Sequence, residues 1–240
     1  MQNIAKKWEV FERSFIEYGG YERVIDGLKN TLIIALIGLC IGIFIGTLIA
    51  VVRVMPGRTR FTKVMAKILN GICSVYTSFF RGTPIVVQLL LGYYVILPLM
   101  GINLKPVSVC ILIFGLNSGA YVSEIMRGGI GSVDPGQMEA GRAVGLGYWA
   151  TMLKIIVPQA VKNIMPTLGN ELISLVKETS VVSFVGALDL YTAFRYIAAN
   201  NYEFMIPYLV MAAFYIVIVL VIALGVKLME RRLKKSDRNS

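Results

Sequence analysis

The sequence predicts an all-α integral membrane protein with five transmembrane helices, an external N-terminus and a cytoplasmic C-terminus. Three observations support this fold class. Of the 240 residues, 56% are hydrophobic and only 16% are charged, whereas soluble domains carry about 25% charged residues. Several runs without Asp, Glu, Lys or Arg reach the length of about 20 residues that crosses a bilayer. Basic residues concentrate in alternate loops, as the positive-inside rule requires.

The spans are placed on the uncharged runs. Four of them cover residues 30–52, 82–104, 106–123 and 204–226. Another span is placed over residues 164–188, although it contains Glu171, Lys177 and Glu178. The uncharged run 68–80 is too short to cross alone, so it is predicted as a helix that leads through a proline break into the second span. A sixth span there is the alternative, but it would break the alternation of basic loops.

Charge distribution divides the chain into three parts. Residues 1–29 have balanced charges and aromatic residues at helical spacing, which predicts an external amphipathic segment. Residues 30–228 form a single transmembrane domain, which includes a long cytoplasmic loop at 128–162. Residues 229–240 form a basic cytoplasmic tail. Basic loops explain the net charge of +10 better than nucleic-acid binding does.

Composition excludes several kinds of chemistry. The chain contains no histidine, which removes the usual metal ligand and every Ser/His or Cys/His catalytic arrangement. No metal site is predicted. The three cysteines lie in apolar stretches and are predicted to be packing residues rather than a disulfide framework. No phosphate-binding loop of the form G-x-x-x-x-G-K-S/T is present, so the chain is not expected to hydrolyse ATP.

The loop 128–162 contains signals for two short helices. Asp134 and Pro135 predict the start of a helix over 137–144, with Gln137 completing a capping box. Gly145 and Gly147 break that helix. A second, amphipathic helix is predicted over 148–157, with Pro158 as its end. Such a helix-turn-helix is well shaped to insert into a groove on another protein.

The same loop has the spacing of the "EAA" loop. The matching residues are Glu139, Ala140, Gly141, Gly145, Ile155 and Pro158. Gly141 and Val157 replace the alanine and leucine that are common at their positions. The chain therefore resembles the permease subunits of bacterial ATP-binding-cassette (ABC) importers. Three further segments resemble motifs of the polar amino-acid branch (His/Glu/Gln/Arg-type), namely residues 80–84 with Gln88, residues 120–130 and residues 177–180. The similarity extends over roughly residues 20–230.

The resemblance implies a transport function and a set of partners. The chain would form half of the path for a polar amino acid, basic ones included, across the bacterial cytoplasmic (inner) membrane. The EAA-like residues would dock on a separate ATPase subunit, present in two copies, which alone binds ATP and magnesium. Three further partners are expected: a second permease that is identical or homologous, an extracytoplasmic amino-acid-binding protein, and membrane lipid. No cofactor on this chain and no nucleic acid are expected.

Polar residues within the spans are candidates for the substrate path, because polar groups inside a bilayer are costly. These candidates are Gln88, Asn117, Tyr121, Glu124, Lys177, Glu178 and Ser180. Three of them, Asn117, Tyr121 and Glu124, recur at i, i+4 and i+7 and are predicted to share one helix face. The alternative is structural: Lys177 and Glu178 would pair with neighbouring helices and only hold the bundle.

Two other classes of function compete with this one. A stand-alone secondary transporter or channel commonly contains internal repeats, and no motif of this chain occurs twice. A scaffold for membrane assembly would not explain the charged residues Lys177 and Glu178 in the span over residues 164–188. The stripe of Gly38, Gly42 and Gly46 predicts close helix packing with no role in transport.

Overall fold

The computed structural model describes residues 4–54 and 60–237, and within these ranges it contains helices and no β-strand. The helices are α1 (Ile4–Glu12), α2 (Gly20–Val54), α3 (Arg60–Gly82), α4 (Ile85–Leu91), α5 (Leu97–Leu99), α6 (Pro106–Gly131), α7 (Pro135–Ala143), α8 (Tyr148–Thr151), α9 (Val157–Glu178), α10 (Leu190–Asn201) and α11 (Met205–Asp237). Wider π turns occupy Arg13–Glu17, Gly92–Ile96 and Met152–Ile156, and a 3₁₀ helix occupies Thr179–Val185.

Three helices are long and apolar enough to cross a membrane, namely α2, α6 and the Met205–Leu233 part of α11. Two further spans are possible if each of two bent pairs of helices is counted as a single span. Arg60–Gly82 meets Ile85–Leu99 at 108°, and Tyr148–Val185 meets Leu190–Asn201 at 55°. The described residues therefore provide three to five candidate spans. The break in the first pair lies at Thr83 and Pro84, where a proline break was predicted.

The boundaries of two predicted spans need correction. Helix α2, which forms the first span, begins at Gly20, ten residues before the predicted start at Asn30. Charged residues on its first turns do not prevent helix formation outside the apolar core. The fourth span was expected to continue to residue 188, but α9 ends at Glu178 and a 3₁₀ helix follows.

Glycines bring α2 and α6 into close contact. Gly38, Gly42 and Gly46 all face α6 and are buried. A Cβ atom on Gly42 would lie 2.6 Å from Ser118 Oγ, and one on Gly46 would lie 2.6 Å from Val122 Cγ1. These contacts confirm the predicted close packing. Because the residue numbers rise together along both helices, α2 and α6 run parallel.

Replacing Gly42 with alanine is expected to destabilise the protein. The added methyl group overpacks the α2–α6 contact, which costs about 1–3 kcal/mol. Gly225→Ala in α11 is the matched control, because no atom lies within 4 Å of its Cβ position. Thermal unfolding in detergent should show a lower midpoint for Gly42→Ala and no decrease for Gly225→Ala. Equal midpoints for the two variants would contradict the packing role of Gly42.

Helix α9 packs against α6 in the opposite direction. Gly129 of α6 lies against Ile164, whereas Ser118, three turns earlier on α6, donates a hydrogen bond to Glu171 Oε1 at 2.9 Å. Helix α11 covers another side of α9, where Val226 contacts Gly169. The carboxylate of Glu171, which is costly inside a membrane, thus has a hydroxyl partner on the neighbouring helix.

The segment before α10 is fixed to α2 by hydrogen bonds. Asn30 Nδ2 donates to the carbonyl oxygen of Leu188 at 2.9 Å, and the backbone N–H of Leu190 donates to Thr31 Oγ1 at 3.2 Å. Between them, the buried Asp189 caps α10 by accepting from the backbone N–H of Thr192 at 2.9 Å. The start of α10 therefore has one fixed position relative to α2.

Candidate functional site

The EAA-like segment is a helix–turn–helix, as predicted. Asp134 Oδ1 accepts a hydrogen bond from the backbone N–H of Gly136 at 2.7 Å and caps α7. The capping box expected from Gln137 is wrong, because its Oε1 accepts from Gln159 Nε2 instead, at 3.4 Å. Gly145 ends the turn with φ +89°, a left-handed conformation that favours glycine.

Gly141 allows α7 and α8 to touch. A Cβ atom at this position would lie 2.5 Å from Thr151 Cγ2, and Thr151 is fully buried beneath it. An alanine, the common residue of the EAA pattern, would need these two helices to separate. The departure at Gly141 is therefore explained by close packing within the segment.

Pro158 does not end the second helix, contrary to the prediction. The chain stays helical from Tyr148 to Glu178, through α8, the π turn Met152–Ile156 and α9. Pro158 lies in the first turn of α9, directly after the π turn. Proline is tolerated there because its missing N–H falls where the regular hydrogen-bond ladder has already shifted.

The segment presents an exposed surface around its turn. Glu139, Ala140 and Pro158 are exposed and Ile155 is half-buried. Apolar side chains beside them are exposed as well: Val144 by 77%, Leu153 by 62% and Trp149 by 42%. We call Glu139, Val144, Gly145, Trp149 and Leu153 the docking face. No other described part of the chain covers these side chains.

Asn117, Tyr121 and Glu124 lie on one face of α6, as predicted, and this face is directed towards α3. Asn117 Nδ2 donates to the carbonyl oxygen of Phe80 at 3.2 Å. The guanidinium carbon of Arg81 lies 5.5 Å from the centre of the Tyr121 ring, within cation–π range.

Gln88 and Asn117 hold the bend between α3 and α4. Both side chains are buried, and Asn117 Nδ2 donates to Gln88 Oε1 at 2.9 Å. Gln88 Nε2 in turn donates to the carbonyl oxygens of Phe80, at 2.8 Å, and Thr83, at 3.0 Å. Phe80 lies in the last turn of α3, where carbonyl oxygens have no partner within the helix, and Thr83 follows directly after α3 ends at Gly82. In this conformation the amide pair replaces the hydrogen bonds that the bend at Pro84 removes.

Glu124 lies between two arginines. Arg53, in the last turn of α2, donates from Nη1 to Glu124 Oε1. Arg127 Nε donates to Glu124 Oε2 at 2.8 Å. Arg53 Nη2 also donates to Thr77 Oγ1 on α3, at 3.2 Å. Glu124 thus joins α6 to α2, and Arg53 in turn joins α2 to α3.

Lys177 and Ser180 line a cavity of about 770 Å³ formed by the 3₁₀ helix, α10 and α11. Its polar lining residues are Lys177, Ser180, Ser183, Tyr191, Arg195 and Tyr215. Glu178 is exposed and does not line this cavity. None of the described lining residues is acidic, so the cavity combines two cations with several hydroxyl groups.

Sequence reasoning missed Arg195 and Tyr191, because α10 was taken for a loop between two spans. The available signal was Asp189 followed by residues with helical periodicity, which predicts a capped helix. Arg195 lies one turn after Tyr191 on this helix, and both line the cavity.

Comparison with known proteins identifies the family. Residues 38–235 match the family described as "Binding-protein-dependent transport system inner membrane component". The chain belongs to this family of permeases. This permease is a multi-pass inner-membrane protein. Because ATP hydrolysis in ABC transporters lies on a separate subunit, the permease is not itself an enzyme.

Individual relatives agree with this assignment. The permease is 37% identical over 210 residues to the "Putative glutamine transport system permease protein GlnP" of Rickettsia bellii (strain RML369-C), covering 88% of this chain and 92% of the relative. It is 35% identical over 214 residues to the "Arginine transport system permease protein ArtQ" of Bacillus subtilis (strain 168), covering 89% and 94%. Its fold matches a solved chain described as "Crystal structure of an amino acid ABC transporter with histidines", with TM-score 0.79, 37% identity and coverage of 91% and 97%.

Proposed function

We propose that the permease forms half of a translocation path for a polar amino acid and is driven by a separate ABC ATPase. A second permease, identical or homologous, supplies the other half, and an extracytoplasmic binding protein delivers the substrate. Two ATPase subunits bind ATP and magnesium, and this chain binds no cofactor. Relatives named as glutamine and arginine permeases support an amino acid as the substrate. The observation that carries the proposal is the uncovered docking face around Gly145.

The docking face has the properties of a protein contact. Apolar Val144, Trp149 and Leu153 are exposed together, and exposed apolar patches mark interaction sites. Glu139, on the exposed side of α7, can pair with a basic residue of the ATPase. Because α8 continues into α9 without a break in the helix, movement of the docked segment moves α9 with it.

The cavity at Lys177 has the charge to hold a free amino acid by its carboxylate. Lys177 and Arg195 supply cations, and the hydroxyl oxygens of Ser180 and Tyr191 can accept hydrogen bonds from the ammonium group. A basic side chain would call for an acidic partner, and the path candidate Glu178 lies outside the cavity. The charge of the cavity favours recognition of the carboxylate, which all free amino acids share.

The remaining candidate residues receive different roles. We assign Gln88 and Asn117 to the bend between α3 and α4, which shapes the wall of the path. Tyr121, which contacts Arg81 beside this bend, and Glu178, on the exposed side of α9, stay candidates for the path.

The proposed topology places the N-terminus outside and the C-terminus in the cytoplasm. Five spans, with each bent pair counted once, put segment 128–162 and tail 229–240 on the cytoplasmic side. Residues 1–29 are then external. The parallel direction of α2 and α6 supports this order, because spans one and three must cross in the same direction.

Uptake into liposomes tests the proposed function. The permease, reconstituted with its ATPase and supplied with the binding protein, is expected to accumulate an amino acid only when ATP is present. The permease alone should neither hydrolyse ATP nor accumulate substrate. Uptake by the permease alone, driven by an ion gradient, would instead show the secondary transporter or channel of the alternative hypothesis.

A further inference from the structure

The end of α2 joins the EAA-like segment to the rest of the bundle. Tyr148, the first residue of α8, donates its hydroxyl hydrogen to the carbonyl oxygen of Val54 at 2.7 Å. The preceding residue of α2 is Arg53, which donates to Glu124 on α6 and to Thr77 on α3. Two adjacent residues thus contact α8, α6 and α3.

We propose that Glu124 is a positioning residue that transmits movement of the ATPase-docked segment to α3, through Arg53 and the Tyr148–Val54 hydrogen bond. This inference rests on the proposed function. It assigns to Glu124 a role in coupling rather than in contact with the substrate. We call Tyr148, Val54, Arg53, Glu124 and Thr77 the relay.

Burial and charge make the Glu124 contacts specific. The side chains of Arg53 and Glu124 are only 16% and 21% exposed, whereas Arg127 is 61% exposed. Hydrogen bonds between ionised groups are roughly twice as strong as neutral ones. Removing the carboxylate would leave the partly buried guanidinium of Arg53 without its counter-charge, so Arg53 would lose its fixed position against Thr77.

The relay also explains why Thr77 is buried, whereas the other residues of α3 are half-buried or exposed. Its hydroxyl donates back to the carbonyl oxygen of Cys73, at 2.9 Å, and accepts from Arg53. This contact attaches α3 to α2 five residues before α3 ends at Gly82. A shift of Arg53 therefore moves the part of α3 that leads into the bend.

The test measures coupling rather than activity alone. Wild-type permease, Glu124→Gln, Tyr148→Phe and the double variant are reconstituted in liposomes with the ATPase and the binding protein. The ratio measured is substrate accumulated per ATP hydrolysed. We expect Glu124→Gln to lower this ratio about tenfold, as for one charge-assisted hydrogen bond, and Tyr148→Phe about threefold. ATP hydrolysis should still respond to the binding protein.

Two matched controls carry the same chemical changes away from the relay. Glu17→Gln breaks an exposed ion pair with Arg13, and Tyr202→Phe removes the hydroxyl of a tyrosine that is 87% exposed. Both should keep the wild-type ratio. Failure of the wild-type complex to accumulate substrate would contradict the proposed function itself. The relay is tested separately, by comparing the substrate-to-ATP ratio of each variant with that of the wild type.

The double variant decides whether the two contacts act together. If they belong to one relay, Glu124→Gln with Tyr148→Phe should be no worse than Glu124→Gln alone. Independent effects would multiply to a loss of about thirtyfold and would overturn the relay. An unchanged ratio of substrate to ATP for Glu124→Gln would overturn the relay as well, whether or not the variant loses thermal stability in detergent.

Discussion

Gly145→Asp is expected to abolish association with the ATPase while the permease still inserts into the membrane. Gly145 has φ +89°, and a side chain there forces backbone strain of about 1–3 kcal/mol. No atom lies within 4 Å of its Cβ position, so the strain comes from the backbone and not from a clash. The turn would relax and displace Val144 from the docking face. Co-purification should recover at least about tenfold less ATPase, because 1.4 kcal/mol corresponds to a factor of ten.

Gly147→Asp is the matched control for this result. It adds the same charge two residues away, at a position with φ −69° that any residue adopts and with no atom within 4 Å of its Cβ position. We expect this variant to keep a substantial part of the ATPase. If both variants lose it equally, added charge rather than turn geometry would be responsible.

Lys177→Gln and Arg195→Gln are each expected to reduce uptake at least about tenfold, because each removes a charge-assisted hydrogen bond to the substrate carboxylate. Stimulation of the ATPase by the binding protein should persist. Lys105→Gln removes an exposed positive charge that does not line the cavity and should transport normally. Uptake assays in liposomes distinguish these outcomes.

Glu178→Gln adds a further comparison on the same helix. Because Glu178 lies outside the cavity, we expect a smaller effect than for its neighbour Lys177. Normal uptake by Lys177→Gln together with a large loss for Glu178→Gln would show that the path runs along the other side of α9. The proposed carboxylate site would then be wrong.

Features that depend on local sequence were predictable. The uncharged runs predicted the three long helices, and the Gly38–Gly42–Gly46 stripe predicted the α2–α6 contact, because helical spacing alone places these residues on one face. Asp134 predicted the start of α7, because a helix cap likewise depends only on residues that are close together in the sequence.

Features that depend on distant residues were not predictable in the same way. Pro158 looked like a helix end, and only the π turn before it makes proline acceptable there. Gln88 is predicted as a path residue, but its contacts with Asn117, 29 residues later, and with Phe80 near the end of α3 could not be predicted from local sequence. Arg195 reaches the cavity because the chain turns at Asp189. No local pattern encodes these pairings.

The bond between Asn30 and Leu188 has a consequence for biosynthesis. These partners are separated by 158 residues, which at about 5–20 residues per second take about 8–30 s to translate. Until then the amide of Asn30 and the hydroxyl of Thr31 lack their final partners, although the helix that contains them is already complete. We therefore expect the nascent α2 to keep this polar end near the membrane surface, or beside the insertion machinery, until the chain around Asp189 emerges.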